Sequence, residues 1–214
     1  LVSGSDTLPV GGALNVIGNV EFLFPTPFAK GADTIRLGWF FDVGNVYRDF
    51  YFPAAAGVAY SRNPFVWNPK LRREDGFARI VVGLGTRAVE RVGEDYPRMV
   101  ALSHPNLRPE SGARDVKYYS QFYMDAINLK TNELETQPVT DIIGPDYPGL
   151  RLLAAVDNGD YISPMVSIDR TLDPRRLVIT MDGLLTQSNF SADLKTILKA
   201  LEFSYSHPVD IEFT

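Results

Sequence analysis

Two carboxylates stand one residue apart in Val209-Asp210-Ile211-Glu212-Phe213, an alternation that reads as a strand. A period of two places Asp210 and Glu212 on one face and Val209, Ile211 and Phe213 on the other. Paired oxygen donors suit Mg²⁺, which takes one or two carboxylates and fills its shell with phosphate oxygens and water. A solvated strand face gives the same pattern, so spacing alone leaves both readings open. A second feature is the run Ala78-Arg79-Ile80-Val81-Val82-Gly83-Leu84-Gly85-Thr86-Arg87, a short apolar strand opening into a glycine-bearing turn. Glycines after a strand let backbone N–H groups approach phosphate oxygens. The run lacks the Gly-Lys-Ser/Thr of a Walker A loop, and Ala88 stands where a third glycine of GxGxxG would fall, so a plain strand and turn fits it too. Arg62 follows a third apolar stretch, where its planar fork suits either phosphate oxygens or a surface ion pair. His104 and His207 each precede a proline, and both are expected to be structural or exposed.

These residues need elements to hold them. Ala54 to Tyr60 is a run of small apolar residues ended by Asn63-Pro64, predicting a buried strand that enters a turn. Val116 to Thr136 alternates with many aromatics and predicts a hairpin turning near Thr131-Asn132. Tyr118, Tyr119, Phe122 and Tyr123 read as core and strand surface, because only Lys117 interleaves a positive charge among them and a base-stacking platform needs more. Arg176 to Met181 predicts another short strand after a turn at Asp173-Pro174. From Ser188 the period changes: Leu194, Ile197, Leu198 and Leu201 recur at helical spacing, with Ser188, Asn189 and Ser191 as capping candidates and His207-Pro208 closing the element. Nearer the start, Asn15 to Phe24 and Ile35 to Val43 alternate on either side of Pro25, Pro27 and a Gly-Ala-Asp turn, predicting a two-stranded antiparallel unit. Such a unit fits a soluble sandwich or the wall of a membrane barrel.

Composition narrows the classes. With 214 residues, 45% of them hydrophobic, the chain can bury a sizeable core. A net charge of -5 with no Lys/Arg run argues against nucleic acid as a partner. The absence of cysteine excludes disulfides, thiolate nucleophiles and thiolate-bound metal. No stretch of about 18 apolar residues predicts a membrane-spanning helix. Leu1 and the abrupt strand at Thr214 are read as the ends of a fragment.

Two resemblances divide the chain. Ala56-Gly57-Val58-Ala59-Tyr60-Ser61-Arg62-Asn63-Pro64, Gly83-Leu84-Gly85 with Gly93-Glu94-Asp95-Tyr96-Pro97, and Asp210-Ile211-Glu212-Phe213 resemble the ATP-binding domain of phosphoenolpyruvate synthases and pyruvate phosphate dikinases. Pro9-Val10-Gly11-Gly12-Ala13-Leu14, Gly18-Asn19-Val20-Glu21-Phe22, Phe24-Pro25-Thr26-Pro27-Phe28 and Trp39-Phe40-Phe41-Asp42-Val43-Gly44-Asn45-Val46 resemble the last barrel strands of BamA-type outer-membrane assembly proteins. The vocabulary changes between Tyr47 and Tyr51, giving an expected division into a hairpin fragment at 1–50 and a partial ATP-binding domain at 51–214.

The expected fold class is α+β, a partial ATP-grasp-like domain preceded by an antiparallel hairpin. The first resemblance implies nucleotide contacts from Arg62, Gly83, Gly85, Thr86, Arg87 and Asp210, with Glu212 as the ligand of the Mg²⁺ that accompanies ATP. It also implies partners, a phosphohistidine domain and a pyruvate-binding domain, that this chain does not contain, so no turnover is expected from it alone. The larger segment implies a cytoplasmic protein; the smaller one implies the outer membrane, and a join of unrelated frames is the remaining alternative.

Overall fold

The computed structural model describes strands at 22–25, 36–39, 46–47 and 50–51, and residues 54–214 except 91 and 148. The strands in chain order are β1 (Phe22–Pro25), β2 (Arg36–Trp39), β3 (Val46–Tyr47), β4 (Phe50–Tyr51), β5 (Ala56–Tyr60), β6 (Phe77–Val81), β7 (Arg98–Ala101), β8 (Tyr123–Asn128), β9 (Glu133–Pro138), β10 (Ala154–Asp157), β11 (Ile162–Pro164), β12 (Leu177–Ile179) and β13 (Asp210–Phe213). The helices are α1 (Thr86–Val89), α2 (Ala113–Tyr118), α3 (Val139–Ile142), α4 (Leu150–Leu153), α5 (Asp182–Gln187) and α6 (Phe190–Tyr205). Helices mix with antiparallel sheets, so the fold class is α+β. β1 and β2 pair antiparallel from Phe22↔Trp39 to Pro25↔Arg36; the rest of the expected hairpin lies outside the described residues.

The sheet that matters most runs β13-β5-β6-β7, entirely antiparallel. Register assigns its two faces. Ala59, Ala78, Ile80 and Val100 point into the core, with Ile211 and Phe213 packed against them. Val58, Tyr60, Phe77, Arg79, Met99, Asp210 and Glu212 share the opposite face. The chain reaches β13 through α6, whose Leu194 and Leu198 are buried while Ile197 is half exposed. The helical period is therefore right, and the buried stripe is narrower than the four-residue pattern implies. Ser188 Oγ accepts from Phe190 N–H at 3.2 Å ahead of α6, and Ser206, in the left-handed region at φ 58°, ends it.

A second sheet, β3-β4-β8-β9, carries the predicted hairpin with its turn at 129–132. Residues 116–118 belong to α2 and not to the strand the aromatic alternation predicts. Of the expected core and strand surface, the surface part describes Tyr123 on β8, while none of the four is core: Tyr118, Tyr119, Phe122 and Tyr123 are each about half exposed, and Tyr118 packs edge-to-face on Tyr119 at 4.9 Å. Aromatic side chains at the start of a hairpin satisfy a strand pattern wherever the chain turns, and only packing decides which are covered. The third sheet, β11-β10-β12, adds Ala154, Leu177 and Ile179 to the same core. Asp173 Oδ1 accepts from Arg175 N–H at 3.0 Å, fixing the turn before β12.

Candidate functional site

The glycine turn leaves β6 at Val82 and is clamped by Gln121. The Gln121 amide accepts from Val82 N–H at 2.8 Å and donates to Val82 O at 2.8 Å and Tyr123 O at 2.7 Å. One side chain thus completes a strand end that has lost its neighbour, and nothing in its sequence context marks it. Gly83 follows at φ 101°, and a Cβ there would lie 2.8 Å from Asp125 O and 3.2 Å from Asp125 N, so the position demands glycine twice over. Leu84 N–H then donates to Asp125 O at 3.0 Å. Gly85, at φ 87°, begins α1, and its missing Cβ makes room for Ala56, 3.2 Å away.

Below the turn lies a buried ionic cluster. Arg87 donates to Asp95 Oδ2 at 2.9 Å, Asp125 Oδ1 at 3.2 Å and Thr136 Oγ1 at 3.4 Å, and its guanidinium stands 5.8 Å from the Tyr123 ring centroid. Thr86 Oγ1 donates to Asp125 Oδ2, and Thr136 Oγ1 to Asp125 Oδ1 at 2.6 Å. Burial works to raise the Asp125 pKa, but the Thr136 and Thr86 hydroxyls and the Arg87 charge outweigh it and hold the carboxyl below its usual range. At Asp95 burial prevails over the Phe122 N–H and Arg87, and the carboxyl is pushed up. Arg87 and Thr86 therefore bind protein groups here, tying the turn to β8.

Arg62 is half exposed just past β5 and pairs with Glu202 of α6 at 2.5 Å, with Glu74 at 3.9 Å. Asp210 and Glu212 lie on the edge strand β13, both exposed. Among the described residues neither carboxylate makes an ion pair or hydrogen bond, and no group of three or more His, Cys, Asp or Glu side chains converges. Two unengaged carboxylates on one face fit Mg²⁺ that draws its remaining ligands from phosphate and water; they do not make a closed protein cage. His104 Nδ1 lies 2.9 Å from Ser103 Oγ, and the exposed His207 contacts Pro208 O at 2.8 Å.

The sheet carries exposed acids on one face of its edge strand and core on the other, and a glycine turn leaves it after β6, within an α+β domain. The pyruvate phosphate dikinase, AMP/ATP-binding domain family matches residues 45–214, and the chain belongs to that family. The Omp85 superfamily domain matches residues 2–86, in keeping with the barrel-strand resemblance of the first part of the chain. No curated protein and no solved structure matches the chain. Both family matches cover 45–86, where β5 and β6 pair within the sheet completed by β7 and β13.

Proposed function

We propose that the larger segment is an ATP-grasp-like unit that binds ATP with Mg²⁺ and orients its phosphates for transfer to a histidine on another domain of a phosphoenolpyruvate synthase or pyruvate phosphate dikinase type enzyme. The observation that carries the proposal is the placement of Asp210 and Glu212, exposed and unengaged on one face of β13 within the nucleotide-binding family match. Glu212 would hold the metal and Asp210 would support the nucleotide. The metal supplies neutralisation of phosphate charge when bound. Gly83 and Gly85 shape the turn at one end of that face, while Thr86 and Arg87 act through it by fixing its position. Arg62 stands at the other end of β5, paired with Glu202, and would reach phosphate only by leaving that pair.

Titration calorimetry of the full chain with ATP, with and without Mg²⁺, tests the reading. Binding is expected only with the metal, and Glu212→Gln is expected to remove most of that affinity. Because Glu212 is exposed on an edge strand, the same change should alter unfolding free energy by no more than about 0.5 kcal/mol. Metal-independent binding, or full affinity in the Gln variant, would overturn the assignment.

A second reading rests on the match of residues 2–86: strands before 45 contribute to an outer-membrane barrel. Backbone groups in lipid must all be paired, so β1 and β2 would need further strands to close the wall. Proteoliposome flotation of the full chain would support that reading; a chain that stays with the soluble fraction would count against it. Among the described residues no helix is long and apolar enough to cross a membrane.

A further inference from the structure

Arginines sheltered from solvent in this fold come with acids. Arg87 has Asp95 and Asp125, Arg108 lies 2.7 Å from Asp182, and Arg98 lies 3.9 Å from the same carboxylate. Arg79 breaks the pattern. It sits mid-strand in β6, partly buried, and no carboxylate of the described residues comes within 4.0 Å of it. Its Nη2 donates to Tyr60 Oη at 2.7 Å and its guanidinium carbon stands 5.6 Å from the Tyr60 ring centroid, while its buried Nε, like those of Arg87 and Arg98, has no hydrogen-bond partner. Desolvating a cation without a counter-charge is costly. A tyrosine hydroxyl and ring orient the fork but neutralise nothing.

Register shows where that charge lies. Arg79 pairs with Val58, and Val58 pairs with Glu212, so all three form one row across the face of the sheet opposite the core. At about 4.8 Å per strand, the Arg79 and Glu212 backbones are about 10 Å apart. Phe65 and Trp67 cover the sheet near Phe77 at one end of this face, and the glycine turn approaches Ala56 at the other. Glu212 is unengaged in the same row as Arg79, which has no carboxylate partner, and the equally unengaged Asp210 stands opposite Tyr60 toward the Phe77 end.

We propose that Arg79, oriented by Tyr60, is a phosphate-binding residue for the nucleotide whose Mg²⁺ Glu212 takes. The inference rests on the nucleotide-binding reading above. A planar guanidinium fork suits bidentate contact with phosphate oxygens.

Calorimetry on the full chain with Mg²⁺ and, in turn, ATP, AMP and adenosine separates the possibilities. Arg79→Met is expected to weaken ATP binding about tenfold or more, AMP less, and adenosine not at all, because a charge-assisted contact is lost only where phosphate is present. Melting without ligand should stay level or rise, since an uncompensated charge has been removed. Arg79→Lys, which keeps the charge and loses the fork, should fall between Met and wild type and serves if the Met variant fails to fold. Equal losses for all three ligands, or unchanged ATP affinity with a lowered melting temperature, would make Arg79 a structural residue and overturn the proposal. If Glu212→Gln abolishes ATP binding while Arg79→Met binds normally, this inference alone fails. A wild-type chain that binds neither ATP nor AMP fails both readings.

Discussion

At the residue scale the decisive contrast is between arginines that look alike in sequence. Arg87 follows a glycine turn and carries the chemistry of a phosphate ligand, yet its guanidinium is committed to Asp95, Asp125 and Thr136. Arg79 lies within an apolar strand where a core residue would be expected, and among the described arginines sheltered from solvent it is the one left without a carboxylate partner. The difference predicts opposite outcomes. Arg87→Met strands two buried carboxylates and should cost about 3–5 kcal/mol in urea unfolding at neutral pH. The penalty should shrink in acid. Asp125 has a folded pKa below its unfolded value of about 3.9, so its stabilisation is complete above that value and is lost as pH falls through the folded one. Once the carboxylates are protonated, the missing guanidinium matters less. A penalty that is small at pH 7, or that grows toward low pH, would show that the cluster does not hold the turn.

At the element scale, the turn between β6 and α1 depends on the backbone of β8. The Gly83 position combines φ 101° with a carbonyl that a Cβ would meet at 2.8 Å. A side chain there must move β8 or leave the left-handed region, so Gly83→Ala should lose more than about 1 kcal/mol of stability. It should also weaken nucleotide binding by moving the turn. Thermal unfolding and ATP titration of the variant check both, and an Ala variant as stable as wild type would show that the close approach to Asp125 is dispensable. Strand β13 and helix α6 were legible from period, because an apolar face repeats at 2 or 3.6 residues, and β5 and β6 from continuous apolar runs that end in turn residues. α2 was not, since its six residues are too few to establish a helical period against a background of alternating aromatics. The Gln121 clamp was equally hidden, being a single amide whose partners come from β6 and β8.

At the scale of the whole molecule the question is where the two resemblances meet. Sequence vocabulary predicts a division at residue 50, yet Phe50 and Tyr51 pair their backbones with Asn128 and Ile127 of β8, and the nucleotide-binding family match begins at 45. A division ahead of β3 would keep β3, β4 and β8 in one sheet, while the Omp85 superfamily match runs on to residue 86, so truncation is the test of either boundary. Deleting residues 1–44 should leave the unfolding free energy of the remainder within about 0.5 kcal/mol of the full chain, while deleting 1–51 should lower both it and the midpoint clearly, because β8 would then keep β9 and lose β4. Equal midpoints for the two truncations would return the boundary to residue 50.

Sequence by itself determined the α+β class, the family resemblances, the strand carrying Asp210 and Glu212, and the glycine turn, since each is written in local period or in contiguous words. Tertiary structure decided which cations are spoken for. Arg62 meets Glu202 across 140 residues and Arg87 meets Asp125 across 38, separations that no periodicity encodes. It likewise set Arg79 in one row with Glu212, because the row exists only where β6, β5 and β13 come into register. Charge neutralisation is a property of neighbours in space, and the chain's order does not contain it until the sheets have formed.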